Sequence, residues 1–173
     1  MIIRKAERKD LPALLEIYNY EVLHGVATLD LSPKTPQEWG KWFEEHNTKN
    51  HPLFVAETEG HIAGYVSLSS YRDKEAYRST VELSLYVGVD DRNKGVATAL
   101  MQYIIEEAEK EEATHTVVSV ITAGNEASKK LHQKFGFEYC GTIKEVGIKF
   151  GAYRDIENYR LTVSSSEKKG TVL

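Results

Sequence analysis

The chain has 173 residues and a mass of 19.6 kDa, about the size of one average domain, which excludes an elaborate multidomain machine. With 41% hydrophobic and 28% charged residues, 4 prolines and 12 glycines, it is neither fibrous nor low in complexity and has enough apolar material for a core without staples. Twenty-two Lys and Arg against 26 Asp and Glu leave a net charge of −4, so no basic surplus points to nucleic acid.

Residues 2–5 read as a short first strand. Asp10 is placed to cap the helix that follows, and Pro12 suits its first turn. Leu11, Leu14, Leu15, Tyr18 and Val22 recur at helical spacing and predict one apolar face. After a loop over 25–33, Thr35-Pro36-Gln37-Glu38 has the pattern of a capping box. It opens a second helix whose Trp39, Trp42 and Phe43 form an aromatic side, read as core rather than as a ligand pocket. Runs 53–57 and 62–69 are β-rich and flank the hairpin turn Thr58-Glu59-Gly60-His61. Residues 71–78 are polar. Residues 80–89 alternate as a strand and meet the charged turn Asp90-Asp91-Arg92-Asn93-Lys94-Gly95. A helix then runs to about residue 112 with Leu100, Tyr103, Ile104 and Ala108 on one side. Residues 116–121 predict a strand, 126–135 a helix, 137–143 a strand and 156–163 the last strand.

This order predicts one mixed α/β (α+β) domain over 1–163, an antiparallel meander followed by βαβ-like units. Residues 164–173 are small and polar, and are expected to form a disordered tail. The lone Cys140 excludes an internal disulfide and a thiolate zinc cluster, and is read as an inert, buried strand residue. The other histidines show no ligand-like spacing, so no metal is expected. The charged start argues against a signal peptide, and no apolar run approaches the roughly 20 residues of a membrane helix. A cytoplasmic protein without membrane contact is expected.

The turn after the 80–89 strand carries most of the chemistry. Arg92-Asn93-Lys94-Gly95-Val96-Ala97-Thr98 takes the chain from strand to helix. Small residues there admit a ligand to the backbone, and free N–H groups at a helix start attract anions. The turn is either a pyrophosphate cradle or a tight connection whose charges face water; it has neither P-loop nor dinucleotide spacing. Glu82 lies in a strand of apolar and small residues, where half-burial would raise its pKa toward that of a general base. An exposed position or an ion pair would serve equally as its explanation. His132 shares a helix face with Ser128.

The turn Arg92-Asn93-Lys94-Gly95-Val96-Ala97 resembles the acetyl-CoA signature R/Q-x-x-G-x-G/A of the GNAT superfamily of N-acetyltransferases. Asn125-Glu126-Ala127-Ser128, leading to Gly136-Phe137, resembles its N-x-x-S…GF element. Ile17-Tyr18-Asn19, Trp42-Phe43, Thr80-Val81-Glu82, Leu85-Tyr86-Val87, Leu131-His132 and Val146-Gly147-Ile148-Lys149-Phe150-Gly151 are similar to phosphinothricin and methionine sulfoximine/sulfone acetyltransferases. Asn93 and Ala97 depart toward bulk where glycine is frequent, and Tyr153 stands where tryptophan is usual.

The resemblance implies a GNAT fold, a mixed and mostly antiparallel sheet flanked by helices. It also implies transfer of acetyl from acetyl-CoA, without metal, to the α-amine of a small amino-acid-like substrate. It implies Glu82 as base and His132 near the sulfur, either protonating the thiolate or relaying the amine proton. Leu85, Tyr86 and Val87 would hold the pantetheine arm. Arg92, Asn93, Lys94, Gly95, Val96, Ala97 and Thr98 would hold the pyrophosphate, with Asn125 and Lys134 as further cofactor contacts. Arg72 and Arg78 are candidates for a substrate carboxylate, and Tyr153 for the acceptor. A homodimer is implied as well. The alternatives are acetylation of a polyamine, an aminoglycoside or a protein N-terminus, or a CoA-binding module without turnover.

Overall fold

A computed structural model describes residues 1–163; the expected tail over 164–173 lies outside the described residues. The strands are β1 (Ile2–Lys5), β2 (Leu53–Thr58), β3 (His61–Ser70), β4 (Thr80–Val87), β5 (Thr116–Thr122), β6 (Glu138–Lys149) and β7 (Ala152–Thr162). The helices are α1 (Leu11–His24), α2 (Pro36–Glu44), α3 (Val96–Lys110) and α4 (Glu126–Lys134). One sheet runs in the order β1-β2-β3-β4-β5-β7-β6. Among the described residues only β4 and β5 pair in parallel, through the α3 crossover; every other pairing is antiparallel. The expected class and element order hold.

Strand alternation builds a core on each face of the sheet. Val66, Leu68, Val81, Leu83 and Val117 face α3 and bury Leu100, Met101 and Ile104. Leu53, Val55 and Tyr65 face the other way and meet Leu14 and Ile17 of α1 and Trp39 of α2. A fully buried side chain of this size stabilises the fold by about 1.5–3 kcal/mol, so these two layers fix where the helices sit. At Gly64, a Cβ would meet the Tyr86 carbonyl oxygen at 2.7 Å and Val96 at 3.2 Å, so only glycine lets α3 lie this close to the sheet. The capping box of α2 forms as its sequence demands, with Thr35 Oγ1 accepting from the Glu38 N–H and Glu38 accepting from the Thr35 N–H.

Four details differ from expectation. Asp10 occupies the cap position of α1 but caps nothing there, because its carboxylate takes the Arg4 guanidinium at 2.8 and 2.9 Å and the Glu7 N–H at 2.8 Å. Strand β4 stops at Val87 because a 3-10 turn over Val89–Asp91 follows, although the Gly88 N–H still reaches the Ala63 carbonyl at 2.8 Å. Strands β6 and β7 run on into one long hairpin. Its turn is Phe150-Gly151, both at positive φ (53° and 71°), a primed turn whose twist suits antiparallel strands. Register shifts between Tyr139 and Gly141 and between Ile143 and Gly147 break the alternation that would have revealed these strands. Cys140 lies in β6 as read, but it is exposed because it occupies the sheet's edge strand.

Candidate active site

The parallel pairing of β4 with β5 covers three rungs only, Thr80↔Thr116, Val81↔Val117 and Glu82↔Val118. Beyond Glu82 the two strands diverge. β3 stays registered with β4 through Val87, but the β5-facing edge of residues 83–87 has no strand partner among the described residues. The splay opens a cleft of about 1090 Å³, bounded by Leu85, Tyr86 and Val87, by the start of α3 and by α4. Its unpaired main-chain edge offers donors and acceptors to an extended polar ligand.

The start of α3 forms one wall. Gly95, the cap residue, is left-handed (φ 82°), Asn93 before it is also left-handed (φ 63°), and no side chain caps the helix. The first turn carries no acidic residue, in contrast to α2 with Glu38 and α4 with Glu126. The first helical bond runs from the Ala99 N–H to the Gly95 carbonyl at 3.0 Å. The N–H groups of Val96, Ala97 and Thr98 therefore precede the ladder and leave the positive end of the helix dipole facing the cleft. That chemistry fits a pyrophosphate.

Register assigns faces to the side chains. Val81 and Leu83 belong to the α3-side core and Tyr86 packs on the α1–α2 side, so Glu82 and Ser84 face α1 and α2. On β5, Val117 and Ile121 belong to the α3-side core, and Ser119 between them meets His132 of α4. Glu82 and His132 thus flank the splay from opposite faces of the sheet. Glu82 is half-buried, its carboxylate has no hydrogen bond or ion pair among the described residues, and burial pushes its pKa above the usual carboxylate range.

His132 is 4% exposed. Its Nδ1 lies 2.8 Å from the Ser128 carbonyl, which only accepts, so Nδ1 carries the proton. Its Nε2 then accepts from Ser119 Oγ at 2.8 Å. Burial lowers the pKa of the ring and keeps it neutral. Both nitrogens are thus committed to partners within the protein.

The other expected residues divide. Leu85, Tyr86, Val87, Arg92, Asn93, Gly95, Val96, Ala97, Thr98 and Asn125 line the cleft together with Glu82 and His132. Arg92 is paired with Glu21 of α1 and lies over the Tyr20 ring, while Asn125 caps α4 by accepting from the Ser128 N–H. Lys94 turns to Asp91 at 3.2 Å, and Lys134 lies over the Phe135 ring, neither lining the cleft. Arg72, whose guanidinium lies over the Tyr71 and Tyr77 rings, and Arg78, which donates to the Glu75 carbonyl, stay in the β3–β4 connection. Tyr153 is 67% exposed on the β6–β7 hairpin.

Other residues enter that sequence reasoning passed over. Lys149 is buried, and its Nζ donates to the Thr28 and Glu21 carbonyls at 2.8 and 3.2 Å. It ties the end of β6 to the loop over 26–29 that forms one lip of the cleft. A Cβ on Gly147 would meet Leu29 at 2.9 Å, so the hairpin and that lip touch closely. A second chamber of about 300 Å³ adjoins on the α1–α2 side, walled by Tyr18, Trp39, Trp42 and Tyr86 with Ser84 at its floor. Trp39 is core, as expected, but it and Trp42 also line this space. Among the described residues, no group of three or more His, Cys, Asp or Glu is placed to hold a metal, and no helix is long and apolar enough to cross a membrane.

Residues 3–157 match the family model of the acetyltransferase (GNAT) domain. The chain belongs to the GNAT acetyltransferase family. Within it, this GNAT chain is 37% identical over 162 residues to the L-methionine sulfoximine/L-methionine sulfone acetyltransferase of Pseudomonas aeruginosa, covering 93% of this chain and 94% of the relative. The phosphinothricin acetyltransferase of Sinorhizobium meliloti, solved in complex with acetyl-CoA, superposes with a TM-score of 0.91 at 30% identity, over 99% of this chain and 92% of that one. The ribosomal-protein-alanine N-acetyltransferase of Brucella melitensis superposes with a TM-score of 0.90 at 40% identity, over 94% and 99% of the two chains.

Proposed function

We propose that this GNAT protein transfers an acetyl group from acetyl-CoA to the α-amine of a small amino-acid-like acceptor of the methionine sulfone, methionine sulfoximine or phosphinothricin type. The observation that carries this reading is the splay at Glu82, with an uncapped helix start at one end and an unpartnered carboxylate at the other. Acetyl-CoA supplies the acyl group as a thioester. The main chain of Leu85, Tyr86 and Val87 holds the pantetheine arm along the open strand edge, and one of these amides polarises the carbonyl. The N–H groups from Gly95 to Thr98 take the pyrophosphate, with Arg92, Asn93 and Asn125 beside them.

An α-ammonium titrates at roughly 8 to 10, so at neutral pH most of it cannot attack. Glu82, raised in basicity by burial and free of partners, accepts that proton on the α1–α2 face. His132, neutral and on the opposite face, orients Ser119 on the side of the departing sulfur. Arg72 and Arg78, in the connection that leads into β4, are the groups for the acceptor's carboxylate, and Tyr153 on the hairpin is the further candidate for the acceptor. The cytoplasm, where acetyl-CoA is made available, is the place of action.

Thiol release from acetyl-CoA tests the reading directly. Methionine sulfone, methionine sulfoximine and phosphinothricin should each be acetylated, and the amine that lacks the α-carboxylate should be acetylated far more slowly. The Brucella relative supports a second reading, acetylation of a protein N-terminus, so a peptide beginning with alanine belongs in the same panel. Turnover of that peptide but of no free amino acid would replace the first reading with the second.

The unit of action in this reading is a homodimer. Ile143, Val146, Ile148, Phe150 and Tyr153 are each about half exposed or more, all on the β6–β7 hairpin at the sheet's edge. Exposed apolar side chains gathered on one edge hairpin are normally covered. Sedimentation velocity should give twice the 19.6 kDa chain mass, and Ile148→Lys should give the monomer.

A further inference from the structure

Lys149 ends β6 turned inward. It is 2% exposed, whereas its neighbours Ile148 and Phe150 are more than half exposed. Its Nζ donates to the Thr28 carbonyl at 2.8 Å and to the Glu21 carbonyl at 3.2 Å, and lies 5.2 Å from the centre of the Phe150 ring. Among the described residues no carboxylate pairs with this ammonium. Burial lowers its pKa, against the pull of Glu21 and Asp30. An ammonium taken out of water with neutral acceptors alone costs folding free energy, and a methionine of similar length would escape that cost. Stability gives no reason for a lysine here; position does.

The two carbonyls bracket one lip of the cleft. Glu21 lies in the last turn of α1 and Thr28 in the lip over 26–29, so one ammonium gathers both ends of that stretch onto the hairpin. Thr28 carries the hold inward. Its hydroxyl meets Tyr18 Oη at 3.0 Å, Tyr18 donates to Asp30 Oδ2 at 2.7 Å, and the Asp30 N–H donates to Thr28 Oγ1 at 3.2 Å. Tyr18 lines both the cleft and the aromatic chamber, on the face of the sheet to which Glu82 and Ser84 turn.

An amine that yields its proton to Glu82 therefore enters beside this lip. The cofactor wall is held by other bonds. The Glu21 carboxylate pairs with Arg92, and the Glu21 carbonyl also accepts from the Gly25 N–H at 2.9 Å, so the end of α1 keeps its place without Lys149. We infer that Lys149 is a positioning residue that straps the 26–29 lip to the hairpin and so sets the affinity for the acceptor but not for acetyl-CoA. The inference rests on the acetyl transfer at Glu82 proposed above.

Lys149→Met keeps the apolar stem and removes the three N–H donors. With acetyl-CoA saturating, the acceptor KM should rise by about 10- to 100-fold, the cost of a misplaced wall. The kcat at saturating acceptor and the calorimetric Kd for acetyl-CoA should stay at their wild-type values. Hydrogen exchange over residues 26–30, followed without substrate, should quicken while that of α1 stays slow. Tm should hold or rise, because the desolvation cost that is removed offsets the unpaired Thr28 carbonyl. Lys149→Gln keeps a polar head that falls short of Thr28; it should give the same split, and it serves if the methionine variant does not fold. A purely structural lysine would lower Tm in both variants with the acceptor KM and the lip's exchange unchanged, and that result would overturn the proposal. Quicker exchange with an unmoved acceptor KM would overturn it too, by removing the lip from the acceptor's wall. So would an acetyl-CoA Kd that rises in step with the acceptor KM. If the wild type acetylates no amino acid, the function proposed above fails by itself; exchange over 26–30 then still decides the strap, which stands if the variants quicken it and falls if they do not.

Discussion

Glu82 carries opposite consequences for activity and for stability. Its burial without a partner raises the pKa, so between the ordinary carboxylate value and the raised one the folded chain holds a proton that the unfolded chain has lost. Above that window the ionised group opposes folding; below the ordinary value the penalty is gone. Glu82→Gln should therefore lower kcat/KM by about 10²- to 10⁴-fold, the usual contribution of positioned acid–base catalysis. It should also raise Tm near neutral pH, and that gain should shrink to nothing as pH falls through the window. The rate of the variant should climb with pH as free amine accumulates, while its acetyl-CoA affinity stays at the wild-type value. Titration calorimetry, melting curves and pH profiles read the three parts. The candidacy of Glu82 was legible because a carboxylate in an alternating strand must face something. Its lack of a partner was not, since the side chains that surround it are set by the β3–β4 register, which places Ser69 opposite it.

At the scale of elements, the helix start at Gly95 separates binding from folding. An acid in the first turn of a helix favours the helix by about 0.3–1 kcal/mol through the dipole. The same charge repels a phosphate. Ala97→Asp should accordingly leave Tm unchanged or slightly raised while weakening CoA binding by at least about tenfold, about 1.4 kcal/mol. Calorimetric titration and a melting curve on the same sample decide it; equal affinity would remove the pyrophosphate from this turn. Most elements were readable because capping boxes, turns and apolar periodicity are local. Thr35 and Glu38 meet as their spacing requires. Asp10 did not cap α1 because Arg4, on β1, competes for its carboxylate, and that contact depends on where β1 lies in the sheet. The β6–β7 hairpin escaped because its bulges hide the alternation and its turn, Phe150-Gly151, lacks the usual asparagine or aspartate. Lys149 and the lip it holds were hidden with it, and Lys94 and Lys134 were placed in the cleft by motif position alone, which says nothing of side-chain direction.

For the molecule as a whole, element order and fold class followed from the alternation of strands and helices, but the order of strands in the sheet and the splay did not follow from it. Nothing in residues 80–87 or 116–122 announces that pairing stops after three rungs. The sheet is in effect a four-stranded piece and a three-stranded piece fastened along Thr80, Val81 and Glu82. Whatever lies along the open edge of β4 acts as a part-time eighth strand, supplying the contacts that β5 withholds. Cofactor is then also a folding reagent: occupancy at 100 times Kd adds about 2.7 kcal/mol. For a chain of this length that corresponds to a rise in Tm of about 5–10 °C, logarithmic in the acetyl-CoA supplied. Amides of Leu83, Leu85 and Val87 should slow their hydrogen exchange in step. The lifetime of the protein against proteolysis would thereby follow the supply of its own co-substrate, with the half-fastened sheet serving as the gauge.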